Sequence, residues 1–182
     1  LDIVEGIEMG GNNLYLNEGD RFVETSGKLP MPENTETRKV VAADVDQDGD
    51  QDLFFCNVGW NPIMNPQNQL LLNDGEGSFA NATDQLPEDL ATTLDAAFLD
   101  LNADGYLDLI TTNFVNDAKV QVFTGKRTDV GVKFVANPAL LPTLHFYGGT
   151  SVLPFKEGGK QLLYFANFKS ADILVAEKSG EG

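Results

Sequence analysis

The chain has 182 residues, 42% of them hydrophobic, which suffices for a packed core and excludes a disordered tract. Its net charge of −16, from 28 acids against 12 Lys and Arg, excludes nucleic acid and anionic membrane as electrostatic partners, because neutralising phosphate needs basic residues in excess. One cysteine, Cys56, set in an apolar run, excludes an intrachain disulfide framework and reads as a buried thiol.

In chain order, Leu1-Asp2-Ile3-Val4 has the pattern of a strand and returns as Leu107-Asp108-Leu109-Ile110. "NNLYLNEG" from Asn12 returns as "NQLLLNDG" from Asn68, which places Leu14 and Leu70, and Asn17 and Asn73, 56 residues apart. A strand over about Lys39 to Ala43 then runs into "DVDQDGDQD", with Asp at 44, 46, 48, 50 and 52 around Gly49, and on into Leu53-Phe54-Phe55-Cys56. Carboxylates this close repel one another, and moving even one from water toward an apolar strand costs several kcal/mol. A bound cation resolves the conflict. Oxygen donors alternating around a glycine turn suit Ca²⁺, with side chains from Asp44, Asp46, Asp48 and Asp52 and the backbone carbonyl of Asp50.

The second unit continues with strands over about Asp52 to Val58, Gln69 to Asn73 and Ser78 to Asn81. In the third, a strand over about Leu94 to Leu99 leads into "DLNADGYLD", which implies a second Ca²⁺ site: side chains from Asp100, Asn102, Asp104 and Asp108, and the backbone carbonyl of Tyr106. Asp44 and Asp100 are again 56 residues apart. An EF-hand opens the same way but closes with a Glu at position 12 between helices, whereas that position holds Phe55 and Thr111, in strand-like runs. Further strands are expected over about Leu107 to Asn113, Lys119 to Thr124 and Val132 to Ala136.

In the last unit Pro154 aligns with Asp100, Lys156 with Asn102, Gly158 with Asp104 and Leu162 with Asp108. This copy has lost its metal ligands while keeping a glycine, Gly159, and a strand over Leu162 to Asn167. Asp2 occupies the last ligand position of a first unit that lacks its first strand, so it reads as an orphaned metal ligand. Several short strands per unit at this period mark an all-β protein built of β-propeller blades, each of four antiparallel strands. About three blades are expected, divided as 1–37 (partial), 38–93, 94–145 and 146–182 (degenerate, partial), as a fragment of a larger array or assembly.

These residues resemble the FG-GAP and VCBS repeats of calcium-binding β-propellers, the class of the integrin α-subunit head and many bacterial secreted proteins. The segments "NNLYLNEGDRFVETSG" and "VVAADVDQDGDQDLFFCN" are most similar to the bacterial branch. The resemblance implies calcium loops that join the first and second strands of a blade on one face, a structural ion, and recognition loops on the other face. It implies an extracellular or cell-surface protein with a protein or carbohydrate ligand and no direct insertion into a membrane.

The loop "VGWNPIMNPQ" offers Trp60 and Met64 as candidate ligand-binding residues, since aromatic and Met side chains dominate binding hot spots; Trp60 folded back onto a neighbouring blade is the competing reading. Catalysis finds no residues. The one histidine, His145, has no Ser or Cys motif beside it, and the closely paired carboxylates belong to the metal loops. The expectation is therefore a non-enzymatic module for binding or adhesion. The alternatives are the non-catalytic propeller portion of a secreted polysaccharide-acting enzyme, or a subunit of a surface assembly.

Overall fold

The computed structural model describes residues 1–8, 10–25, 29–30, 32, 34–59, 66–114, 120–129, 131–141, 149–158, 160–167 and 171–176. Among them are fourteen strands and two single-turn 3₁₀ segments, Thr83–Gln85 and Pro138–Leu140. Among the described residues every strand pairing is antiparallel. The strands form four sheets of three or four strands, and the chain divides into two compact units, Leu1–Thr92 and Thr93–Gly182.

In the first unit, β1 (Ile3–Glu5), β2 (Asn13–Asn17) and β3 (Phe22–Glu24) form one sheet. The second sheet holds β4 (Thr37–Ala43), β5 (Asp52–Asn57), β6 (Gln69–Asn73) and β7 (Phe79–Asn81). In both sheets the spatial order is the chain order, as hairpin-connected strands dictate. The edge strand β4 leaves much of its length exposed, whereas β5, paired on both sides, is buried at all six residues. Leu53 and Phe55 on one face of β5 pack with Leu71, and Val4, Leu29, Val40 and Phe79 close around them.

The sheets of this unit are also joined by polar bonds. Thr37 donates its amide to the Ile7 carbonyl at 2.9 Å, and its hydroxyl bonds Asn57 at 2.8 Å while accepting from Asn12 at 2.9 Å. Gly6 permits this approach, because a Cβ there would meet the Thr37 methyl at 2.8 Å.

In the second unit, β8 (Thr92–Leu99, opening on the last residue of the first unit), β9 (Asp108–Phe114), β10 (Val120–Thr128) and β11 (Gly131–Ala136) make one sheet. The other consists of β12 (Gly149–Glu157), β13 (Lys160–Asn167) and β14 (Ala171–Ala176). Ala97, Leu99, Ile110 and Val122 from the first interleave with Val152, Leu163 and Phe165 from the second. The repeat reaches down to single bonds: Thr93 and Asn113 pair at 2.9 Å, as Thr37 and Asn57 do 56 residues earlier.

Asp95 ties these two sheets together. It is buried in β8, and one carboxylate oxygen accepts the Ser151 hydroxyl at 2.6 Å and the Val152 amide at 3.2 Å, both from β12. Asp95→Ala leaves both donors, the Val152 amide buried and the Ser151 hydroxyl partly so, without this acceptor, so it should cost about 1–3 kcal/mol. Urea unfolding should then show a lower midpoint with an unchanged slope.

The strands expected from about Lys39 and Leu94 begin two residues earlier, β4 at Thr37 and β8 at Thr92. β10 departs further, running on to Thr128 in a hairpin that the sequence reading leaves as loop.

Candidate metal centre

The Asp44 loop links β4 to β5, which are in register up to Ala43 opposite Asp52. To reverse the chain between those partners it takes left-handed backbone at Gln47 (φ 64°) and at Gly49 (φ 104°), and the Asp100 loop repeats this at Ala103 (φ 60°) and Gly105 (φ 90°). Glycine is the residue that adopts such angles freely.

Short carboxylates bond the turning backbone. The Asp48 amide donates to Asp44 Oδ1 at 3.1 Å and Asp46 Oδ1 at 3.3 Å, the Gly49 amide to Asp44 Oδ2 at 3.2 Å, and the Asp50 amide to Asp48 Oδ1 at 3.0 Å. In the second loop the Asp104 amide donates to Asp100 Oδ1 at 3.1 Å and Asn102 Oδ1 at 2.9 Å, the Gly105 amide to Asp100 Oδ2 at 3.1 Å, and the Tyr106 amide to Asp104 Oδ1 at 2.9 Å. The two schemes are the same, position for position.

Asp44, Asp46 and Asp48 each bring a carboxylate oxygen within 4.8 Å of the others. Asp46 is held above the usual carboxylate range, first by burial and then by the charge of Asp48. The Asp50 carboxylate points elsewhere: it lies over Gly75, where an added Cβ would overlap it, so only its backbone carbonyl remains for the loop. In the second loop an amide replaces one acid, and Asn102 donates to Asp104 Oδ2 at 2.9 Å.

Asp52 and Asp108 stand apart. Asp52 is 1% exposed and Asp108 fully buried, and both carboxylates are engaged by backbone amides on two sides. Asp52 accepts from Val45 at 2.9 Å and, across β5 and β6, from Asn73 at 2.9 Å. Asp108 accepts from Leu101 at 2.9 Å and from Gly125 in β10 at 3.2 Å. Burial pushes Asp52 up to about 6 and raises Asp108, with the amides pulling the other way in both. Each is a latch that fixes the start of its acidic loop to the third strand of its sheet. A carboxylate has about four acceptor positions, so two amides leave room for an ion as well.

This latch is the functional feature that the sequence reading misses, although the 56-residue recurrence of Asn17 and Asn73 signals it. Asp2 shows the same contact in the first sheet, accepting the Asn17 amide at 2.8 Å, but it is exposed.

In the fourth sheet no loop of this shape forms between β12 and β13. Phe155 pairs with Leu162, Lys156 with Gln161 and Glu157 with Lys160, so the strands continue into a tight turn at Gly158 (φ 57°). Lys156 therefore lies in a strand rather than at the loop position of Asn102. The ungapped alignment fails here because the segment between the partners Phe155 and Leu162 is two residues shorter than that between Ala43 and Asp52. Pro154 is tolerated because β12 is an edge strand. Trp60, Met64, His145 and Gly159 lie outside the described residues.

Among the described residues no helix is long and apolar enough to cross a membrane. No curated protein matches the chain. A family model, that of the FG-GAP-like repeat, matches residues 1–55 and again residues 58–111. The first match closes on β5 just after the Asp44 loop, and the second closes on β9 just after the Asp100 loop. Two tandem matches covering more than half of the sequence, each ending on the same loop and strand, make this chain a member of the FG-GAP-like repeat family.

Proposed function

We propose that the chain is a calcium-stabilised β-propeller module of an extracellular or cell-surface protein, non-catalytic, presenting its loops to a protein or carbohydrate ligand. The observation that carries this reading is the convergence of Asp44, Asp46 and Asp48 to within 4.8 Å, at the entrance to a strand buried along its whole length. The donor set fits a hard cation, since it consists of carboxylate, amide and carbonyl oxygens without sulfur or imidazole.

Asp44, Asp46, Asp48 and Asp52 with the Asp50 carbonyl would hold one ion. Asp100, Asn102, Asp104 and Asp108 with the Tyr106 carbonyl would hold a second. A bound ion supplies the positive charge that crowded and partly buried carboxylates call for. The chain's own contribution is to hold the first strand of the sheet against the second and, through Asp52 and Asp108, against the third. Such a role is structural, and it suits a compartment where calcium is abundant enough to keep these sites filled. Membership of the FG-GAP-like repeat family and the antiparallel sheets of three and four strands support the propeller.

Calorimetric calcium titration tests the assignment. Asp48→Ala should bind one equivalent fewer than the wild type, while Lys156→Ala, in a hairpin without metal ligands, should leave the stoichiometry unchanged. Equal uptake by wild type and Asp48→Ala would overturn it.

A further inference from the structure

The two metal loops share backbone angles and hydrogen bonds, but they do not share the turn that lies beside them. In the second sheet, residues 74–78 join β6 to β7, and Asp74 and Glu76 flank the Gly75 over which the Asp50 carboxylate lies. In the third sheet Gly125 takes the place of Asn73, its amide donating to Asp108 as that of Asn73 donates to Asp52. The next residue, Lys126, therefore stands where Asp74 stands. The hairpin of β10 and β11 goes on for three more pairs, Lys126 with Lys133, Arg127 with Val132 and Thr128 with Gly131. Lys126, Arg127 and Lys133 are exposed. Like charges directly opposed on neighbouring strands weaken their own hairpin, so the Lys126 and Lys133 pair does not serve its local stability.

Building on the calcium reading above, we propose that the charge of the turn between the third and fourth strands sets how tightly the adjacent loop holds its ion, so that the two loops fill in sequence. The acidic turn at Asp74 and Glu76 strengthens the Asp44 site, and the cationic hairpin at Lys126 and Lys133 weakens the Asp100 site. A divalent ion responds to every fixed charge within about a Debye length, roughly 10 Å at 0.1 M salt, and the turn lies one residue from a latch to the loop. A separate cause acts in the same direction: the Asp44 loop offers four carboxylate side chains and the Asp100 loop three, with Asn102 as the difference. The variants must separate the two.

Calcium titration of the full chain at low ionic strength should show two binding events of unequal affinity. Lys126→Glu with Lys133→Glu should tighten the weaker event by about tenfold or more and leave the tighter one in place. Glu76→Lys with Asp74→Asn, which keeps an oxygen for the Glu76 and Ser78 amides that Asp74 accepts at 2.9 and 3.0 Å, should weaken only the tighter event. Raising the salt should shrink both effects. Unchanged affinities in both turn variants, or closure of the whole gap by Asn102→Asp alone, would overturn the proposal while leaving the calcium reading intact. Failure of the wild type to take up calcium at all would overturn that reading itself.

Discussion

Chelating calcium should lower the melting temperature of this protein by about 10–20 °C relative to the same sample in calcium at a hundredfold excess over its dissociation constants. The size follows from mass action: an ion that binds only the folded state at a hundred times its dissociation constant adds about 2.7 kcal/mol. Two such sites add about 5 kcal/mol, and for a chain of this length each kcal/mol moves the midpoint by about 2–4 °C. The Asp44 loop belongs to the first compact unit and the Asp100 loop to the second, so both units should lose stability. The ligands must be ionised to bind, so the calcium increment should shrink as the solution is acidified. Differential scanning calorimetry in calcium and in chelator measures the difference directly. Coincident melting curves would remove calcium from the account of this fold.

The Asp44 and Asp100 loops were legible as glycine-centred acidic turns because their signal is local. Asp44, Asp46 and Asp48 alternate around Gly49, and a strand of Leu and Phe follows at once, so residue type, spacing and turn chemistry agree without reference to the rest of the chain. The four sheets were legible for the same reason, through recurring short strands and turns.

What was missed depends on partners far along the sequence. Asp52 and Asp108 read as ligands, and their latches to Asn73 and Gly125 depend on amides 21 and 17 residues away. The extension of β10 beyond Thr124 was invisible because Lys126, Arg127 and Thr128 are exposed and give no apolar alternation, although the backbone pairs through Thr128 and Gly131. Asp95 falls within the strand expected over about Leu94 to Leu99, and no residue near it in sequence points to its partner. Its bond to Ser151, 56 residues on, becomes visible only when two sheets of the second unit meet.

The latches carry the second large effect. Asp108→Ala should destabilise the protein by about 2–6 kcal/mol, because the Leu101 and Gly125 amides both lose a buried acceptor at about 1–3 kcal/mol each. Asp108→Asn should fall between that variant and the wild type: the amide oxygen can still accept one of the two donors, while its NH₂ group faces the other. Asp52→Ala should match Asp108→Ala, since Val45 and Asn73 stand in the same relation to it. Asp2 is the internal control. It accepts the single amide of Asn17 from an exposed position, where water can replace it, so Asp2→Ala should change stability by less than about 0.5 kcal/mol. Run in chelator, the series separates the latch from metal binding, because no ion is then available to lose. Urea denaturation in chelator that ranked Asp2→Ala beside Asp52→Ala and Asp108→Ala would show that these aspartates matter only as ligands. The expected ranking would show that the last aspartate of each loop holds three strands in register before any ion arrives.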